Sequence, residues 1–227
     1  AVNEPKWREI QEEFRAVLGG RGNLLDVAVP PLLFALANAL WGLPVAAGIS
    51  VGAAMLLAVV RLGRQQSLTY ALGGLGAVLL AALLAWLSGR AEGYFLPTIA
   101  STGLTIVACV VSALVKRPLV AWTSHLARGW PWTWYWHPRV RPAYTEVTWA
   151  WAVYSALRLL LQWLFFTRAA AGWLAVLSVL TGWPATVLLL IATYLYGTWR
   201  LRMLQGPSVE EFEENAPSPW TGQQRGF

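Results

Sequence analysis

Charge is what this chain lacks most. Only 12% of its 227 residues are Asp, Glu, Lys or Arg, about half the density of soluble domains. Hydrophobic residues make up 57%, and mean hydropathy is +0.50. So few charges cannot coat a globule of this size, so an ordinary soluble domain is excluded and an all-α polytopic membrane bundle is expected. Cysteine is nearly absent: Cys109 stands alone, which excludes an internal disulfide and a Cys-based metal cluster. The two histidines, His125 and His137, do not form a ligand array. The sequence also has no Walker loop, no metal-ligand cluster and no pair of intramembrane carboxylates. No catalytic or metal-ligating set is expected, and no cofactor; the activity expected is non-enzymatic. Tryptophan is the exception to this scarcity, at fifteen residues.

The net charge of +6 does not point to nucleic acid, because the basic residues sit between long apolar runs instead of sharing one soluble face. Six runs approach the ~20 residues that a ~30 Å hydrocarbon layer requires: 24–42, 43–62, 68–88, 94–115, 144–167 and 173–199. The last is interrupted by Gly182-Trp183-Pro184 and reads as one kinked span. With the N-terminus inside, fourteen of the seventeen basic residues fall in inner segments; only Arg90 and Arg168 fall outside, and Arg158 lies within a span. That asymmetry predicts six spans in a bacterial plasma membrane with both termini cytoplasmic. No signal peptide is expected, since residues 1–22 are polar and amphipathic.

Three polar segments flank the spans: residues 1–22, the loop 116–142 and the tail 205–227, with the membrane domain covering 23–204. In the first, Trp7, Ile10, Phe14 and Leu18 recur at helical spacing. They predict an amphipathic helix that lies on the membrane or docks a partner. In the loop, Trp130, Trp132, Trp134 and Trp136 alternate in a Pro-flanked run, which predicts an extended strip at the inner interface, where Trp is favoured. A bound lipid or pigment is the ligand class such a strip admits. The tail sets Glu210, Glu211, Glu213 and Glu214 around Phe212, followed by Trp220. It has too little apolar surface to fold alone, so a protein partner is the simplest agent to order it. Other membrane subunits, reached through these three segments, and the bilayer are thus the expected partners.

Within the spans, Gly48-Ile49-Ser50-Val51-Gly52 matches the G-x-S-x-G pattern. That motif needs a strand-to-helix elbow with a nearby His and acid; inside an apolar helix, Gly48 and Gly52 read instead as a small-xxx-small packing face. The fifth span puts Thr148, Trp151, Ser155, Arg158 and Gln162 on one face. The fourth offers Thr98, Ser101, Thr102, Thr105, Cys109 and Ser112. A polar seam between the two is expected. An arginine at the centre of a helix costs about 3 kcal/mol on insertion scales. Arg158 is therefore either tied to hydroxyls and a carboxylate, with Glu92 as the candidate, or holds an anionic substrate or lipid.

Leu25-Asp26 with Pro30-Pro31, Val60-Arg61-Leu62, Gly89-Arg90-Ala91-Glu92-Gly93-Tyr94-Phe95-Leu96-Pro97 and Lys116-Arg117-Pro118-Leu119 together resemble the DUF3159 membrane proteins. Arg139 to Tyr144, Leu157-Arg158 and Gly182-Trp183-Pro184 extend the resemblance over roughly 23–200. It implies a six-helix membrane protein, mainly actinobacterial, of no established function. Gly93 stands where the family usually has an acid, and the Trp strip is expanded. A looser similarity to YciB/septation-type proteins implies only a cell-envelope setting. The function expected is a non-catalytic accessory or scaffold subunit of a membrane complex or cell-envelope assembly. The alternatives are a small transporter or channel using the seam around Arg158, and an intramembrane enzyme with Ser50 as nucleophile.

Overall fold

The computed structural model describes residues 21–63, 68–223 and 226–227. The amphipathic helix expected over 3–18, with Trp7 and Phe14, lies outside these residues. Among those described, the fold is all-α: α1 (Arg21–Trp41), α2 (Leu43–Gly63), α3 (Leu68–Ser88), a 3-10 turn (Ala91–Phe95), α4 (Leu96–Leu114), α5 (Leu119–Arg128), α6 (Trp132–Tyr135), α7 (Arg141–Thr167), α8 (Ala171–Leu180), α9 (Trp183–Leu204) and α10 (Val209–Glu213). Among the described residues, four stretches are long and apolar enough to cross a membrane: Leu43–Gly63, Ala91–Leu114, Arg141–Thr167 and Ala171–Leu204. The apolar helices Val29–Trp41 and Leu72–Ser88 are shorter. The segment expected as one kinked span is one apolar stretch, Ala171–Leu204, built of two consecutive helices, α8 and α9, that break at Thr181-Gly182. Thr181 closes α8 by donating its N–H to the Leu177 carbonyl (2.8 Å), and Pro184 occupies the opening turn of α9, where its missing N–H costs nothing.

The chain divides into two compact units, residues 1–97 with 165–183 and residues 98–164 with 184–227. In the first, α2 packs against both α1 and α3, α8 against α1, and the 3-10 turn against α3 and α8. The α1–α2 turn passes through Gly42 at φ +81, a left-handed conformation that glycine adopts without a Cβ clash. The buried stripe of α2 is Ala46, Ser50, Ala54, Ala58 and Arg61. Small residues every fourth position let helices approach closely, but this is not the glycine face expected from the sequence. Gly48 is exposed, and a Cβ on Gly48 or Gly52 would meet nothing within 4 Å. Both glycines lie two residues, about 200°, round the helix from the Ala46–Ser50 face. Gly74 on α3 is in close contact instead, since an added Cβ there would strike the buried Arg61 guanidinium. Phe34 stacks on Tyr94 (centroids 4.0 Å apart) and meets Phe95 edge-on, anchoring the 3-10 turn to α1.

In the second unit the core is aromatic. Ala121, Trp134, Tyr135, Val140, Ala143, Tyr144, Val147, Leu201, Val209 and Phe227 form one buried cluster. It gathers α5, α6, the start of α7, the end of α9 and the tail.

Candidate functional site

The loop and tail make one structure. Gly129, at φ +70, ends α5 by donating to the His125 carbonyl (2.7 Å), which turns the chain into Trp130-Pro131. The Trp run then coils into the helical turn α6; it is not the extended strip expected, because Pro131 and Pro138 bracket a segment too short to run along a surface once Trp134 is drawn inward. Trp134 is fully buried (0% exposed), and its indole N–H donates to the Pro207 carbonyl at 2.9 Å. A buried indole needs such an acceptor, and the tail supplies it. Tyr135 is buried beside it and shares a hydrogen bond with Ser124 (3.1 Å); burial pushes its hydroxyl pKa upward. Trp132 and Trp136 stack on each other, His125 stacks on Trp132, and the Arg117 guanidinium lies 4.3 Å from the Trp136 ring centre. His125 Nδ1 donates to the Trp130 carbonyl (2.6 Å).

The tail packs on this surface within its own chain. Gly206 passes so close to the loop that a Cβ there would lie 3.1 Å from the Arg139 carbonyl. Ser208 and Glu211 form a reciprocal capping box on α10. The Glu211 carboxylate also accepts from the Thr221 N–H (2.7 Å) and hydroxyl (2.8 Å). Those backbone donors, Ser208 first and then Thr221, hold its pKa down at about 2. Trp220 donates to the Ala216 carbonyl, and the Arg139 guanidinium lies over its ring. His137 meets the edges of Phe212 and Trp220; burial, then the nearby Arg139 charge, lowers its pKa. The chain closes on Phe227, whose ring stacks on Tyr144 (4.2 Å) and fills the space that a Gly197 side chain would occupy. Arg128 Nε donates to the Phe227 carbonyl (3.1 Å).

The intramembrane polar residues fall less simply. On α7, Thr148, Ser155 and Gln162 are buried and Arg158 is half-buried. Thr148 donates to the Tyr144 carbonyl (2.7 Å) and accepts from the Val120 N–H (3.3 Å), fixing the start of α5. On α4, Thr102 and Cys109 are buried, whereas Ser101 and Thr105 are exposed and return their hydroxyls to the Thr98 and Ser101 carbonyls. The α4 stripe therefore divides, because Ser101 and Thr102 stand about 100° apart on the helix. Glu92 is buried and paired with Arg90 at 3.5 Å; Arg90 also lies over the Phe166 ring. Ser50, the candidate nucleophile, donates to the Ala47 carbonyl (3.0 Å) and hydrogen-bonds Tyr94. Among the described residues no group of three His, Cys, Asp or Glu comes together. One bidentate ion pair was not singled out from sequence: Arg200 donates to both Glu146 oxygens at 2.8 Å, and the Tyr196 hydroxyl donates to the same carboxylate. Its residues are 54 apart, and the signal available was one acid near the end of an apolar run facing a basic one.

No curated protein and no solved structure matches the chain, which leaves the looser YciB-type likeness without support. A family model does match, over residues 18–201, a stretch that holds the packed 3-10 turn, the α7 polar face and the whole Trp loop but stops short of the tail. The chain belongs to that family, DUF3159, proteins of unknown function whose apolar helices mark this one as a membrane protein.

Proposed function

We propose that this chain is a non-catalytic accessory or scaffold subunit of a complex in the bacterial plasma membrane, with six spans and both termini cytoplasmic. The observation that carries the reading is the self-ordered module of loop and tail, which keeps a docking face free. On α5 only Ala121 is buried, while Trp122 and Leu126 project outward, Leu126 at 81% exposed. Glu213 and Glu214 are exposed beside Phe212 on the tail. The side chains best suited to chemistry support the same reading, since Ser50, His125 and Glu211 are each engaged in structural hydrogen bonds. Purification of the tagged protein from native membranes in mild detergent is expected to retrieve a partner in fixed stoichiometry, and Leu126→Glu to lose it. Recovery of a clean monomer or homodimer from wild type would refute the reading. A transporter or channel is the second reading. It rests on Arg158 and Gln162 on α7, with Ser101 and Thr105 exposed on α4.

A further inference from the structure

Gln162 is 1% exposed, and neither its amide nitrogen nor its carbonyl oxygen has a partner; the Arg158 Nε is also buried and unbonded. Tyr154, one turn away, shares a side-chain hydrogen bond with the same guanidinium, and no carboxylate pairs with it among the described residues. Arg158 and Gln162 are four residues apart on α7, which brings their Cβ atoms within about 5–6 Å on one face of the helix. Buried polar groups in native proteins are almost always satisfied, and ionisable residues within spans mark binding sites more often than not.

The unused groups specify what would satisfy them. One guanidinium N–H and two amide N–H groups call for an oxyanion that accepts, while the free amide carbonyl calls for a hydroxyl that donates. Water meets the amide but leaves the arginine charge uncompensated. Depth narrows the source. Helix α7 has 27 residues, about 40 Å at 1.5 Å per residue, and overreaches a ~30 Å hydrocarbon layer. Gln162 stands five residues, about 7.5 Å, from the Thr167 end, close to the boundary between acyl chains and headgroups. Leu157, Leu160, Leu161 and Trp163 around it are exposed, as a lipid-facing surface requires.

We propose that Arg158 and Gln162 form a site for a hydroxyl-bearing phosphate ester, such as the headgroup of an anionic glycerophospholipid. The site is independent of whether the chain is a scaffold. The test uses the full chain in neutral detergent with three probes: phosphatidylglycerol, phosphatidylcholine and water-soluble glycerol phosphate. Native mass spectrometry and thermal unfolding are the readouts. Phosphatidylglycerol is expected to be retained about tenfold better than phosphatidylcholine and to raise the unfolding temperature. Gln162→Leu and Arg158→Gln are expected to abolish that preference. Gln162→Leu introduces an apolar side chain suited to the membrane, so it keeps the comparison meaningful if Arg158→Gln does not fold. Stabilisation by glycerol phosphate, lost in the same variants, assigns the site to a soluble ester. Equal retention of both lipids by wild type, or an undiminished preference in Gln162→Leu, overturns the proposal.

Discussion

Trp134 shows how much one side chain settles here. Its ring is fully enclosed and its N–H is used by Pro207, 73 residues away. Trp134→Ala is expected to destabilise the second unit by about 3–5 kcal/mol, the cost of emptying a buried aromatic site; denaturation in detergent, followed by near-UV circular dichroism, measures it. Gly197 is the complementary case. No side chain fits there while the Phe227 ring occupies the space, so Gly197→Ala is expected to release the end of the tail. Protease cleavage of the tail should then quicken severalfold in the variant, with the helical signal unchanged. The sequence singled out the tryptophans but not their individual fates, because alternation along a chain does not say which ring meets a carbonyl contributed from far away. The glycines are similar: composition marks Gly48 and Gly52 as packing candidates, whereas the face that packs is decided by which neighbour lies alongside.

Among elements, α10 has only five residues, and its linkage to pH is the clearest. The Glu211 carboxyl titrates near 2 in the fold, against 4.5 ordinarily. A depressed carboxylate stabilises the fold above its unfolded pKa, and that stability is lost as pH falls through the folded value. Tail docking is therefore expected to hold from neutrality to about pH 4.5 and to weaken between there and about pH 2. Trp220 fluorescence measures this, and Glu211→Gln should flatten the profile. Ser208→Ala removes the other half of the capping box and is expected to cost about 1 kcal/mol, read as an earlier release of the tail in denaturant. The boundary between α1 and α2 was legible from hydropathy and from the punctuation at Gly42, whereas α5 and its end at Gly129 lay within a segment expected to be a loop. The helical turn at Trp132–Tyr135 was not legible either: with two prolines close by, its conformation follows from packing, not propensity.

Taken whole, the molecule combines apolar helices suited to lipid with a membrane-flanking module that resembles a small soluble core. Removing residues 206–227 is expected to leave membrane insertion intact, since the helices carry their own hydropathy. It should expose Trp134 and Tyr144, seen as a red-shifted tryptophan emission and faster proteolysis of the 116–142 loop. The membrane class, the all-α character and the family resemblance were determined by the sequence alone, because hydropathy over some twenty residues and short motif strings are local properties. The tertiary structure alone decided that the acidic tail folds onto the Trp loop, that Glu146 belongs to Arg200, and that Ser101 and Thr105 leave the seam. Each of these depends on which residue, tens of positions distant, arrives alongside; Arg128 and Phe227 are 99 apart. Local pattern places a side chain on a face of its own helix, and only the packed chain supplies what that face meets.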